Sequence, residues 1–341
     1  MKILYCSAAF FLASCASEFA YEANSVAETP VVGGEGDAAD DPAIWPGSPT
    51  QAPLILGTDK DRGLYVYNLD GTERDFLPVG RVNNVDVRLN FPMPGPGRDI
   101  AVASDRTNLA LAIFLIDPET GDVTPWPVIP LNDVSDPYGA CLYQSRQGGL
   151  YAFVTDKDPG TVVQLLLRYD GEGVIAGEEV RRFSLGTITE GCVADDRTGQ
   201  LYLGEENVAI WRIGAEPGDG TTPERFAEVD NRRLSADVEG LALIQEGETG
   251  GYLVASSQSD NHYVVYDLER GAYVTRFNIA AGAVDEVTHT DGIEIYAGPL
   301  GDAYPGGLMV AQDDADDTGG QNFKLVDLRQ VREFLREAGE E

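Results

Sequence analysis

Five acidic positions in this sequence each open an apolar, strand-like run. They are the pair Asp40-Asp41 ahead of Pro42-Ala43-Ile44-Trp45, Glu190 ahead of Gly191-Cys192, Glu239 ahead of Gly240-Leu241, and Asp291 ahead of Gly292-Ile293. A solubilising acidic surface explains most of the 57 Asp and Glu residues in a 341-residue chain with 24 Lys and Arg and a formal charge of −33. It does not explain adjacent carboxylates set against Ile44 and Trp45, because two like charges 4 Å apart repel by ~4 kcal/mol at an effective dielectric of about 20. Such a pair needs positive charge beside it. A divalent cation held by hard oxygen ligands would supply that charge, and calcium suits an all-oxygen set.

Other chemistries lack their residues. With only two histidines, His262 and His289, zinc hydrolases, binuclear phosphatases and histidine-nucleophile phosphatases are excluded. There is no G-x-S-x-G elbow and no phosphate-cradling G-x-x-x-x-G-K. Cys141 and Cys192 meet Gln147 and Thr198 six residues later rather than an arginine, so no cysteine-phosphatase loop exists. The acidic balance argues against nucleic acid, and it admits an anionic substrate only if metal cations stand between substrate and protein. The run Asp313-Asp314-Ala315-Asp316-Asp317 is not an EF-hand, since Lys324 holds its twelfth position and no glycine its sixth. It reads as a solvated acidic loop or as a structural calcium site of another geometry.

The elements that must position these acids are short strands separated by Gly, Asp, Asn and Pro turns. Small motifs recur before apolar runs: Asn84-Val85-Asp86, Tyr138-Gly139-Ala140, Glu190-Gly191-Cys192, Glu239-Gly240-Leu241 and Asp291-Gly292-Ile293. Counted from Asp41, they repeat at roughly 50 residues, with three or four strands per unit and six units, which predicts an all-β, six-bladed β-propeller. A β-helix would have a much shorter period. In a propeller, residues opening the innermost strands gather at one mouth of the central channel, so Asp40, Asp41, Glu190, Glu239 and Asp291 are expected to form a ring. Trp45, Trp126 and Trp211 are assigned to blade packing. Leu328, Val331, Phe334 and Leu335 lie at helical spacing and predict a short C-terminal helix over Asp327 to Gly339.

Residues 1–14 read as a signal peptide, with Lys2 ahead of the apolar run Ile3 to Ala13. Leu12-Ala13-Ser14-Cys15 looks like the lipobox of bacterial lipoproteins, so Cys15 is the expected lipid-anchored first residue of an exported protein, in the cell envelope or otherwise secreted. Residues 15–27 are expected to be a flexible leader, residues 28–341 a single propeller domain, and the protein a monomer. Cys141 and Cys192 fall two and one residues past their blade glycines, so their side chains point to opposite faces of adjacent blades. One of the two possible senses lets them form a disulfide, and the other leaves two buried thiols.

A family resemblance runs from about Glu28 to Val326, in order. DDPAIW (Asp40 to Trp45), NNVDVR (Asn83 to Arg88), SDR (Ser104 to Arg106), PYGACLY, VTDKD, TEGCVADD, LGEENVAIW, DVEGLAL, TDGIEI, MVAQDD and QNFKLV resemble the β-propeller phytases. That resemblance implies a six-bladed propeller and calcium-dependent hydrolysis of phytate, myo-inositol hexakisphosphate, with several calcium ions and a calcium phytate substrate. It implies that Glu28, Asp40, Asp41, Glu190, Glu206, Glu239 and Asp291 hold calcium at the channel mouth, joined by Tyr138. Lys60, Arg106 and Lys157 would grip phosphate oxygens, with Asp158 at the neighbouring acidic position. Lys60, Arg106, Lys157, Tyr138 and Glu190 form the implied catalytic set. Asn83, Asn84, Asp86 and Arg88 would sit near the same rim. Three positions depart from the family pattern: Asp61 beside Lys60, Ser135 ahead of Tyr138-Gly139, and His289 ahead of Thr290-Asp291-Gly292. Two other readings of the acids stay open, a lactonase-like calcium-dependent propeller hydrolase and a non-catalytic propeller on the cell surface. Neither explains the clustered Lys60, Arg106 and Lys157.

Overall fold

Short strands that bury both faces can be satisfied only by neighbours on either side, and the chain solves this radially. The computed structural model describes residues 21–94 and 97–340, so the expected signal peptide and Cys15 lie outside the described residues. Six antiparallel sheets form six blades. Their inner strands are Ala39–Trp45, Val82–Phe91, Pro137–Gln144, Thr189–Asp195, Val238–Glu246 and Ile293–Tyr296. Their second strands are Leu54–Asp59, Arg98–Asp105, Leu150–Asp156, Gln200–Glu205, Gly250–Ser257 and Leu308–Asp313. Apolar side chains from facing sheets make six clusters, one at each blade seam. All three tryptophans pack in these seams as expected, and the fully buried Trp45 also donates from Nε1 to Asp99 at 2.7 Å.

The ring is closed by the amino terminus. Ala27–Glu28 pairs antiparallel with Asn322–Asp327 and supplies the outermost strand of blade 6. Tyr21–Asn24 adds parallel to Tyr273–Ala280 as a fifth strand on blade 5. The expected flexible leader is therefore corrected over residues 21–27. Tyr-Glu-Ala-Asn carries no strand pattern of its own, yet its backbone groups are satisfied by an edge about 250 residues away in sequence. The C-terminal helix spans Leu328–Glu340. It buries Leu328, Val331 and Leu335 at the seam of blades 5 and 6, and Phe334 stacks on Tyr21 at 4.9 Å. No helix among the described residues is long and apolar enough to cross a membrane.

Candidate metal and phosphate site at the channel mouth

The recurring motifs are β-bulges. In blade 1 the ladder passes from Ala39–Asp59 directly to Pro42–Gly57, so Asp40 and Asp41 together face one residue, Thr58. The same two-against-one step falls at Asn83-Asn84, Tyr138-Gly139, Glu190-Gly191 and Glu239-Gly240. A bulge bends its strand and re-aims a side chain. Here it directs the first residue of each pair, Asp40, Asn83, Tyr138, Glu190 and Glu239, to the channel mouth, with Asp291 completing the ring in blade 6. The structural equivalent of Tyr138 in blade 1 is thus Asp40 rather than Asp41, one residue earlier than the spacing implies.

The second residue of the bulge faces the next blade. A Cβ on Gly139 would lie 1.9 Å from the Glu190 carbonyl oxygen, and one on Gly191 would lie 2.0 Å from that of Glu239, so only glycine allows the blades to close. Asp41 occupies this position in blade 1 and spends Oδ2 accepting the Val85 N–H at 2.9 Å. A hydroxyl opposite the bulge then latches neighbouring blades. Thr155 Oγ1 accepts from Gly139 N–H and donates to the Thr189 carbonyl, both at 2.7 Å. Ser104 reaches the Tyr138 carbonyl in the same way, and Ser256 that of Thr290.

A second, outer ring begins where each second strand ends. Its corner residues are Lys60, Arg106, Lys157, Glu206, Gln258 and Asp314. Each has its N–H tied to a carbonyl of the loop that enters its own blade. The cations occupy blades 1 to 3 and the acid, amide and acid blades 4 to 6.

The cations differ in how tightly they are held. Lys60 Nζ lies 2.6 Å from Asp37, 2.8 Å from Asp291 and 3.2 Å from Asp40. Arg106 is forked by Asp136 at 2.7 and 2.9 Å, a partner that sequence reading missed because it arrives from the next blade's entry loop. Lys157 has no ion pair among the described residues, and its ammonium sits 4.3 Å from the Tyr138 ring centroid. Asp158 is exposed in the turn beyond Lys157, and its carboxylate has no ion pair or hydrogen bond among the described residues.

The acids are crowded and dry. Oxygens of Glu190, Glu206 and Glu239 lie within 4.8 Å of one another, and all three residues are buried. Glu190 accepts from Asn83 Nδ2 at 2.6 Å. One oxygen of Asp40 and one of Glu239 are buried without a hydrogen-bond donor, and the other Asp40 oxygen has the Lys60 ammonium at 3.2 Å. Burial pushes Asp40 up to about 7. Burial and the charge of Asp237 push Glu206 up to about 7. Burial and each other's neighbourhood also raise Glu190, Glu239 and Asp291. For Asp40 this amounts to roughly 4 kcal/mol against the ionised form. Three buried carboxylates whose oxygens lie within 4.8 Å of one another fit a hard cation, and the donor set is all oxygen. Asp237 beside Glu206 and Gln258, which donates to Asp291 at 2.5 Å, extend the ring. No local sequence signal marks either residue.

Glu28, expected in this ring, is not part of it. Its strand pairs with the third strand of blade 6, which carries it to a separate cluster with Asp285 and Asp316 whose oxygens also lie within 4.8 Å. Lys324 is fully buried there, contacting Glu28 and Asp285 and lying 3.5 Å from Asp313 and from Asp316. Of the acidic run at 313–317, Asp313 is fully buried and Asp316 faces Lys324, while Asp314, Ala315 and Asp317 are exposed. Asp86 and Arg88 also leave the rim. They pair at 2.8 Å farther along the channel, in a chamber of about 640 Å³ shared with Glu294 and Asp196.

Comparison with known proteins bears on this arrangement. A 3-phytase from Bacillus subtilis (strain 168) is 39% identical over 334 residues, covering 94% of this chain and 87% of that protein. Two solved structures resemble the fold at 13% identity. One is a luciferin-regenerating enzyme (TM-score 0.56, 89% of this chain and 97% of that one). The other is a PQQ-bound aldose sugar dehydrogenase from Streptomyces coelicolor (TM-score 0.53, 89% and 96%). The family model described as Phytase matches residues 2–340, and with a relative this similar over nearly the whole length, the chain belongs to the phytase family.

Proposed function

We propose that this protein is a calcium-dependent phytase, a phosphoric monoester hydrolase acting on myo-inositol hexakisphosphate. The observation that carries this reading is the division of the rim, with three cations on blades 1 to 3 facing buried, crowded carboxylates on blades 4 to 6 and blade 1. A polyphosphate needs both: cations that grip its oxygens, and a site for metal ions that cancels the protein's own negative charge.

Glu190, Glu206, Glu239, Asp291 and Asp40 would hold calcium. When bound, calcium supplies positive charge to the substrate phosphates and makes a nearby water more acidic. The protein's own groups do the rest. Lys157, without a carboxylate partner, takes a phosphate oxygen. Arg106, oriented by Asp136 through Nε and Nη2, presents its remaining N–H groups to a second oxygen. Lys60, set among Asp37, Asp40 and Asp291, presents its ammonium to a phosphate oxygen from blade 1. Tyr138 stands between the halves, its hydroxyl near Glu190 and Glu206, where burial and Glu190 hold it protonated. It therefore acts as a hydrogen-bond donor. Equatorial oxygens held by fixed cations favour in-line attack of water, and no enzyme nucleophile is required.

The cluster of Glu28, Asp285 and Asp316 is a second candidate metal position with a stabilising role. The amino-terminal segment is proposed to export the chain and anchor it through Cys15. Cys15→Ser should then move the protein from the detergent-extractable fraction to the soluble one. The test of function is phosphate release from phytate with calcium and with a chelator, run beside a panel of lactones. Calcium-dependent phosphate release is expected, and lactone turnover without phosphate release would contradict it.

A further inference from the structure

The seam between blades 3 and 4 differs from every other seam among the described residues, because it carries a covalent bond. Cys141 and Cys192 form a disulfide across it, joining inner strands 51 residues apart with 5.8 Å between their Cα atoms. The bond sits where the two kinds of rim meet. Cys141 follows Tyr138 by three residues, and Tyr138 carries Lys157 on its ring. Cys192 follows Glu190 by two residues, and Glu190 is the first acid of the metal-binding half. At about 3.3 Å per residue, the bridge lies roughly 7–10 Å below both side chains on the strands that hold them.

The side-chain ties between blades are uneven around the ring. The hydroxyl latch joins blades 2 to 3, 3 to 4 and 5 to 6, whereas in blade 1 the Thr58 hydroxyl bonds the Asp41 carbonyl of its own blade and blade 4 has no hydroxyl at that position. Gly204 stands at that position, and a Cβ there would already be 2.9 Å from the Val238 carbonyl oxygen. The inner strand of blade 4 also places Glu190 beside Glu239 of blade 5, their oxygens within 4.8 Å of one another. Blade 4 is held to blade 5 by backbone bonds such as that from the Val238 N–H to the Glu206 carbonyl at 2.9 Å, and to blade 3 by a side-chain attachment. That attachment is the Thr155 hydroxyl together with the disulfide.

We infer that Cys141 and Cys192 are positioning residues of the rim. Their bond fixes the metal-holding acids of blade 4 at a set distance from the phosphate-gripping side chains of blades 1 to 3. A site that must hold metal and phosphate together requires placement within about 0.5 Å. Neither cysteine touches substrate, and the effect is exerted through Tyr138 and Glu190. The inference rests on the calcium reading given above.

The test compares wild type with C141A/C192A at 20 °C, after metal stripping. Calcium binding is followed by competition with a chromophoric chelator, and kcat and KM for phytate are measured at saturating calcium. A merely stabilising bridge would lower the melting temperature and leave the calcium isotherm and kcat unchanged. The positioning role predicts a 5- to 20-fold weaker calcium affinity and a comparable fall in kcat, at unchanged circular dichroism and hydrodynamic radius. Identical isotherms and kcat would overturn it. Independently of whether the variant folds, fully active wild type whose two thiols alkylate without prior reduction would also overturn it. A wild type that binds no calcium counts against the calcium reading instead, and the bridge is then judged on kcat alone.

Discussion

Two halves of one rim, built from the same repeating backbone, carry opposite chemistry. In blades 1 to 3 the corner after the second strand presents Lys60, Arg106 and Lys157. In blades 4 to 6 the same corner, with the same N–H to carbonyl tie, presents Glu206, Gln258 and Asp314. The inner ring is graded too, from Asn83 and Tyr138 to Glu190, Glu239 and Asp291. Since the backbone is common to all six blades, the fold supplies positions and the side chains divide the labour. The acidic half is poorly satisfied without a cation, whereas two of the three cations already have carboxylate partners.

The sharpest way to break this comparison is to remove a charge from the acidic half. Glu190→Gln or Glu239→Gln should lower phytate turnover by at least about 100-fold, more than is typical for a residue that only orients a metal ligand. Both should weaken calcium binding with the fold intact, as read by equilibrium calcium titration. Full turnover in either variant would mean that the buried acids are structural. Next comes the opposite half. Lys157→Ala should cost about 10- to 100-fold in kcat/KM, the scale of one charge-assisted hydrogen bond, while the calcium isotherm stays where it was. An isotherm that moves with Lys157 would show that the halves are not separable.

How far the rim could be read from the sequence follows from what each position demands. The inner ring was legible because a bulge followed by a close blade contact forces a polar residue and then glycine, and four of six blades obey. The three cations were legible only through the family resemblance, since a lone lysine after a strand has no signature. Asp136, Asp237 and Gln258 were not legible, because they reach the rim from loops whose course depends on tertiary packing. Glu28 was misplaced for the same reason: closing the ring with the amino terminus puts it on an outer strand. The strand at Tyr21–Asn24 was missed because its stability comes entirely from the edge it pairs with.

A smaller effect concerns protons. Asp40 and Glu206 keep their protons up to about pH 7 in the metal-free fold, whereas unfolded carboxylates lose them near pH 4. Between those values the folded state binds more protons than the unfolded state. Stability of the stripped protein should therefore fall as pH rises from about 4 to 7. Calcium replaces the protons, so its stabilising effect should grow over the same range. Melting curves with and without chelator at three pH values would check the sign, and a stripped protein that grows more stable toward pH 7 would contradict it. The smallest expected change is at a latch. Thr155→Val leaves the Gly139 N–H and Thr189 carbonyl without their bridge and should cost about 1–3 kcal/mol in urea unfolding. Calcium affinity should change far less than in C141A/C192A.

The division of labour at the rim is tested most directly by one titration. Protein stripped of metal, with the stripping verified by elemental analysis, is given phytate and increasing calcium, with magnesium in parallel, and phosphate release is followed at each point. The account predicts negligible turnover at the start, recovery along the calcium-binding curve, and little recovery with magnesium, whose strict octahedral geometry suits crowded carboxylates poorly. Full phytate turnover in the verified metal-free protein would contradict it.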